Sequence, residues 1–190
     1  LDNRKNITFI KNFTKIINEN FKNINKYLII TGDVTNTGEE DEFLSAEHYI
    51  NIILEELNIK KENIILVPGD HDVHRASLVN ALRDDKKLDS DKDYKLNDIK
   101  FKNFSKFYKN ITGDDFLLNN IIFKELIIDD QIAILGLNSN EKVGIKPAYG
   151  YIDVNKFEME FNIFKKEFPN IKNIFVTFHH NISGVYENKI

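Results

Sequence analysis

The run Pro68-Gly69-Asp70-His71-Asp72-Val73-His74-Arg75 places five ionisable side chains directly behind four apolar residues, Ile64 to Val67. Two other places repeat the arrangement. "LIITGDVTN" (28–36) carries an apolar run into Asp33 and Asn36, and "FVTFHHN" (175–181) carries one into His179 and His180. Four of the five histidines fall in these clusters. Carboxylate oxygens mixed with imidazole nitrogens suit manganese, iron or zinc better than calcium. The residue types therefore point to a metal site with hydrolytic chemistry. Asp33, Asp70, His71, Asp72, His179 and His180 are its candidates, provided that the fold brings three separate segments together.

An α/β fold does this, because in open sheets sites form just beyond the carboxyl ends of strands. The runs 27–31, 64–67 and 173–178 read as three such strands. Ile7, Ile10, Phe13, Ile17 and Phe21 are spaced three or four apart, which predicts a helix over 4–21 with that stripe inward. Thr37 precedes Glu40 by three residues, a capping-box pattern that opens a second helix lined by Phe43, Ala46, Ile50, Ile53 and Leu57. Further helices are expected near 75–83 and around Phe101, Phe104 and either Phe107 or Tyr108. "NIIFKELIID" and "QIAILGLN" read as an antiparallel hairpin around Asp129 and Asp130. A loop rich in Gly and Tyr (139–151) leads to a helix from Asp153, with Val154, Phe157, Phe161, Phe164 and Phe168 inward. The segment 84–98 is highly charged and aperiodic, and reads as a solvated loop or insertion. Strand and helix alternate, which predicts an α/β fold with strands buried on both faces.

At 190 residues the chain reads as a single domain that buries roughly two-thirds of its unfolded surface. Its 26 basic and 30 acidic residues are interspersed, with no basic stripe, so there is no strong nucleic-acid signature. Without cysteine, neither a disulfide framework nor a thiolate metal site can form. The apolar runs are too short for a membrane helix or a secretory leader, and a cytoplasmic location is the expectation. No GxxxxGK[ST] occurs, which excludes a P-loop. The D-x-D-x-[TV] nucleophile pattern of haloacid-dehalogenase-like phosphatases is also missing behind the strands.

"TGDVTNTG", "VPGDHDVHR" and "VTFHHN", in this order, resemble the second, third and fourth motifs of calcineurin-like metallophosphoesterases: GD-x-x-[DN], GN-H-[DE] and a strand-terminal His. "GLNS" (136–139) also resembles a family loop, and the resemblance spans residues 28 to 181. It implies an α/β sandwich of two mixed sheets flanked by helices. It implies that Asp33 bridges two divalent metal ions, Mn2+ foremost with Fe or Zn2+ as alternatives. Asp70 and His179 would hold the second ion. His71 would stand beside the scissile phosphate, oriented by Asp72, and in its charged form stabilise the developing charge or protonate the leaving oxygen. Asn36, His180 and Arg75 fall in outer positions, as partners of the ligands or contacts of the substrate. Arg75 and His74 equally suit a surface ion pair with the acidic stretch 84–91. The implied activity is hydrolysis of a phosphodiester or phosphomonoester, nucleotides or nucleic acids included, by a metal-activated hydroxide.

Two departures shape the expectation. The family's first motif, D-x-H behind an initial strand, does not occur ahead of "LIITGDVTN", and its last, GH-x-H, does not occur in these 190 residues. The domain is therefore expected to be incomplete at both ends and to hold at most one ion well. Further domains are expected too, by analogy with large bacterial proteins. In the third motif, Asp70 stands where the pattern has Asn. An added carboxylate holds a cation more tightly but lowers its Lewis acidity and repels phosphate. The alternative function is accordingly a catalytically silent domain of the same fold with a binding or regulatory role.

Overall fold

Residues 3–85, 90–146 and 149–181 are described by the computed structural model. The first helix, α1 (Asn3–Asn20), leads to β1 (Leu28–Ile30), which pairs in parallel with β2 (Ile64–Leu66), Leu28 opposite Ile64 and Ile30 opposite Leu66. Parallel neighbours need a crossover, and α2 (Glu40–Leu57) supplies it. This helix starts later than the Thr37–Glu40 pattern predicts. The carboxylate of Glu42 accepts the Glu39 and Thr37 N–H groups and the Thr37 hydroxyl, so Glu39 is the cap. Glu40, Asp41 and Glu42 in the first turn complement the positive end of the helix dipole.

The second sheet has the order β3-β4-β5. β3 (Ile122–Ile128) and β4 (Ile132–Leu137) form the predicted antiparallel hairpin. Its turn is closed by the Gln131 N–H on the Ile128 carbonyl. Asp129 and Asp130 both take positive φ there, a conformation that short polar side chains tolerate. β5 (Asn173–Thr177) runs parallel to β4 and is reached through α6 (Val154–Glu167), whose cap Asp153 accepts the Lys156 N–H. The fold is mixed α/β, two small sheets flanked by helices, as the resemblance implies.

Alternation along β4 divides the interior. Ile134 faces a first core with Ile64, Ile65, Leu66 and Val67, while Ala133, Leu135 and Leu137 face a second with Phe164 of α6. The first core is aromatic. Phe104, on α5 (Lys102–Thr112), has the rings of Phe43, Phe101, Phe107, Tyr108 and Phe116 at 5.0–6.3 Å, mostly edge-on.

Three expectations need correction. β5 is not buried on both faces: Phe175 is 59% and Val176 44% exposed. Phe13 and Phe21 near α1 and Val154 on α6 are likewise exposed although their spacing puts them on inner stripes. A spacing pattern marks which residues share a face; what covers that face is settled elsewhere in the molecule. The charged segment is only partly solvated. Ser90–Lys95 forms a 3-10 helix, and Asp93 is buried with its carboxylate on the Ile145 N–H, 52 residues away. Positions 86–89 of that segment lie outside the described residues. Two short helices flank it, α3 (Arg75–Asp84) and α4 (Asn97–Lys100). No helix among the described residues is long and apolar enough to cross a membrane.

Candidate metal centre

Because β1 and β2 are parallel and in register, their carboxyl ends lie side by side, and the segments that follow meet. Two glycines permit the approach. A Cβ on Gly32 (φ +92°) would lie 2.5 Å from the Gly69 nitrogen and 2.8 Å from His179 Nδ1. A Cβ on Gly69 would lie 2.0 Å from Asp33 Oδ1.

Asp72 ties these loops together. Its fully buried carboxylate accepts the Gly69 N–H at 2.8 Å and the Asp33 N–H at 2.9 Å through one oxygen. The other oxygen accepts from the Thr35 N–H at 3.1 Å and lies 2.9 Å from the Thr35 hydroxyl. Burial pushes its carboxyl up to about 6, the Gly69 and Thr35 donors opposing and the Asp33 charge adding to the rise. The expected role of Asp72 is thereby corrected, since its acceptors are spent on loop backbone. His71 is oriented by Asn36 instead, whose carbonyl lies 2.7 Å from His71 Nδ1. That carbonyl raises the imidazole pKa, burial opposing and the charges of Asp33 and Asp70 assisting. Asn36 meets His71 through its backbone carbonyl, while the side chain on which its candidacy rested is exposed.

His179 arrives from the end of β5. Its Nδ1 lies 2.8 Å from the Thr31 carbonyl. A carbonyl only accepts, so Nδ1 carries the hydrogen and the neutral ring keeps a lone pair on Nε2. That Nε2 faces Asp33 Oδ1 at 3.4 Å and Asp70 Oδ1 at 3.5 Å. Asp33, Asp70 and His71 also bring one potential ligand atom each to within 4.8 Å of one another. A ring whose Nδ1–H is fixed by a carbonyl while Nε2 faces carboxylates is the usual arrangement of a metal-binding histidine. The donor set fits a divalent cation.

The remaining candidates surround this group. Arg75 Nη2 lies 3.2 Å from Asp70 Oδ2, and its Nε donates to the Gly144 carbonyl at 3.2 Å. Burial raises the Asp70 pKa, but the Arg75 hydrogen bond and the charges of His71, Arg75 and His179 outweigh it and hold the carboxyl below its ordinary value. Among the described residues Arg75 pairs with Asp70; positions 86–89 of the acidic stretch, the other partner considered for it, lie outside them. His74 turns to Glu39, 3.1 Å away, and to the Ser77 hydroxyl. His180 packs edge-on against His179 with its Nδ1 2.8 Å from Ser139 Oγ; burial, aided by His179, lowers its pKa.

Thr31, Thr35, Ser139 and Gly144 were not singled out in the sequence. Thr31 and Thr35 sit inside "LIITGDVTN" and Ser139 inside "GLNS", so proximity to a motif was the available signal. Gly144 had none. A family model described as calcineurin-like phosphoesterase matches residues 7–189. No curated protein matches the chain.

Proposed function

The chain belongs to the calcineurin-like phosphoesterase family, and on that premise we propose that it hydrolyses a phosphate ester using divalent metal held by Asp33, Asp70 and His179. The observation that carries this reading is His179, with Nδ1 on the Thr31 carbonyl and Nε2 turned to Asp33 and Asp70. Bound among these groups, a divalent cation, Mn2+ before Fe or Zn2+, supplies positive charge to a phosphate and acidity to a water.

The chain's own residues do the rest. Arg75 occupies one oxygen of Asp70 and leaves the other turned to His179. Asp72 holds the Asp33 and Gly69 backbones together, which sets the distance between the two carboxylates. Asn36 takes the Nδ1–H of His71, so the proton on Nε2 of the charged ring is the one free to leave. In hydrolysis a P–O bond to a water oxygen forms as that water gives a proton to solvent, and the P–O bond to the leaving group breaks. The leaving oxygen takes the His71 proton, which solvent restores. The substrate class proposed is phosphodiesters and phosphomonoesters, nucleotides among them, supported by family membership.

Release of nitrophenolate from bis(p-nitrophenyl) phosphate and from p-nitrophenyl phosphate tests the reading. Mn2+-dependent release that is lost in Asp33→Ala is the expected result. Turnover of neither ester by protein with metal bound overturns it and favours a silent binding domain. The carboxylate of Asp70 at an Asn position of the family pattern, paired with Arg75, is the observation on that side.

A further inference from the structure

Behind the candidate metal centre lies a buried cation that the chemistry above does not use. Lys100, the last residue of α4, is 0% exposed. Its Nζ donates among four backbone carbonyls: Tyr94 at 2.7 Å, Val143 at 2.9 Å, Asn140 at 3.0 Å and Glu141 at 3.2 Å. The Phe101 ring closes the cage, its centroid 5.1 Å from Nζ. Burial pulls the Lys100 pKa down to about 7 against the charges of Asp93 and Glu141. The four carbonyls favour the ammonium, because its three N–H groups answer acceptors that a neutral amine would leave partly unmet.

An apolar side chain would fill this volume without the expense of burying a charge. What an apolar side chain cannot do is satisfy three carbonyls of one loop turned inward together. That loop reaches the site twice. The Gly144 carbonyl accepts from Arg75, which pairs with Asp70, and the Asn140 side-chain amide donates to the Pro68 carbonyl at 2.6 Å. Lys100 also touches the motif segment through its own backbone, its carbonyl accepting the His74 N–H at 2.9 Å. One residue therefore joins the loop at 140–144 to the segment at 68–75 that carries Asp70.

We propose that Lys100 is a positioning residue of the metal centre: its ammonium gathers the carbonyls of residues 140, 141 and 143, and the loop so held sets Arg75, Pro68 and through them the Asp70 carboxylate. This rests on the metal-centre reading above.

The test is Mn2+ binding by calorimetry to wild type, Lys100→Met and Lys61→Met. Lys61 also bonds a backbone carbonyl, that of Asn110, but at an exposed position outside the loop. Lys100→Met is expected to weaken Mn2+ binding by about 10–100-fold, the usual cost of losing an outer support of a metal ligand, with its helical circular dichroism intact. Lys61→Met is expected to bind as wild type does. Equal binding by wild type and Lys100→Met overturns the role of Lys100 and leaves the metal centre standing; no binding by wild type removes both. Should Lys100→Met fail to fold, wild type decides by nitrogen NMR of its lysine side chains. Coupling is reciprocal, so saturating Zn2+ must shift the Lys100 Nζ signal and leave that of Lys61 in place. An unmoved Lys100 signal overturns the proposal.

Discussion

His71 and His179 each give Nδ1 to a backbone carbonyl, Asn36 in one case and Thr31 in the other, yet their free nitrogens serve different ends. His179 Nε2 faces two carboxylates, and we assign it to metal. His71 we assign to the proton of the leaving oxygen. The two separate by mutation. His71→Ala is expected to keep its metal and lose about 10²–10⁴-fold in turnover of an alkyl phosphodiester, with a smaller loss on nitrophenyl esters, whose leaving groups need no proton. Metal analysis beside kinetics on both substrates checks this, and metal loss as complete as in Asp33→Ala would defeat the assignment. Asp70→Asn removes a formal charge while keeping the shape. It is expected to weaken metal retention and to raise turnover of a generic phosphodiester. Slower turnover in the Asn variant would mean that the carboxylate, with Arg75 beside it, is tuned for the reaction.

Among the elements, the decisive contact is between the loops behind β1 and β2. They meet where Gly69 passes Asp33, and the buried Asp72 carboxylate bonds both backbones. Gly69→Ala is therefore a sharp probe. The new methyl would stand 2.0 Å from Asp33 Oδ1, so that carboxylate or its loop must move. The expected outcome is a folded chain that no longer retains Mn2+, measured by dialysis and metal analysis. Unchanged metal content would show that the Asp33 loop can yield without loss of the site.

At the scale of the whole molecule, the candidate ligands come from both sheets, Asp33 and Asp70 from the ends of β1 and β2 and His179 from the end of β5. The His179–Thr31 hydrogen bond already links the sheets, and a cation among the three side chains would link them again. Metal should then stabilise the entire fold. At a free concentration 100 times its Kd, Mn2+ is expected to add about 2.7 kcal/mol to the unfolding free energy. Thermal unfolding with Mn2+ and with chelator measures this, and Asp33→Ala should lose the shift. An equal rise in Tm for that variant would locate the stabilising ion elsewhere.

The sequence by itself determined what depends on near neighbours. The hairpin about Asp129 and Asp130, the inner face of α2 and the polar ends of three strands were legible, because turn preference and periodicity are properties of a few adjacent residues. The same strand ends offered six candidates, and only the motif resemblance singled out Asp33, Asp70 and His179, whose role as ligands is our proposal. Their facing distances, and the partners that aim them, belong to the tertiary structure. Asp72 reaches the Asp33 backbone across 39 positions, Lys100 the Val143 carbonyl across 43 and Arg75 the Gly144 carbonyl across 69. Hydrogen bonds of that span leave no local pattern, since either partner alone is an ordinary Asp, Lys or Gly. The exposure of β5 is decided in the same way: its apolar residues are written in the chain, but burial depends on what packs against them.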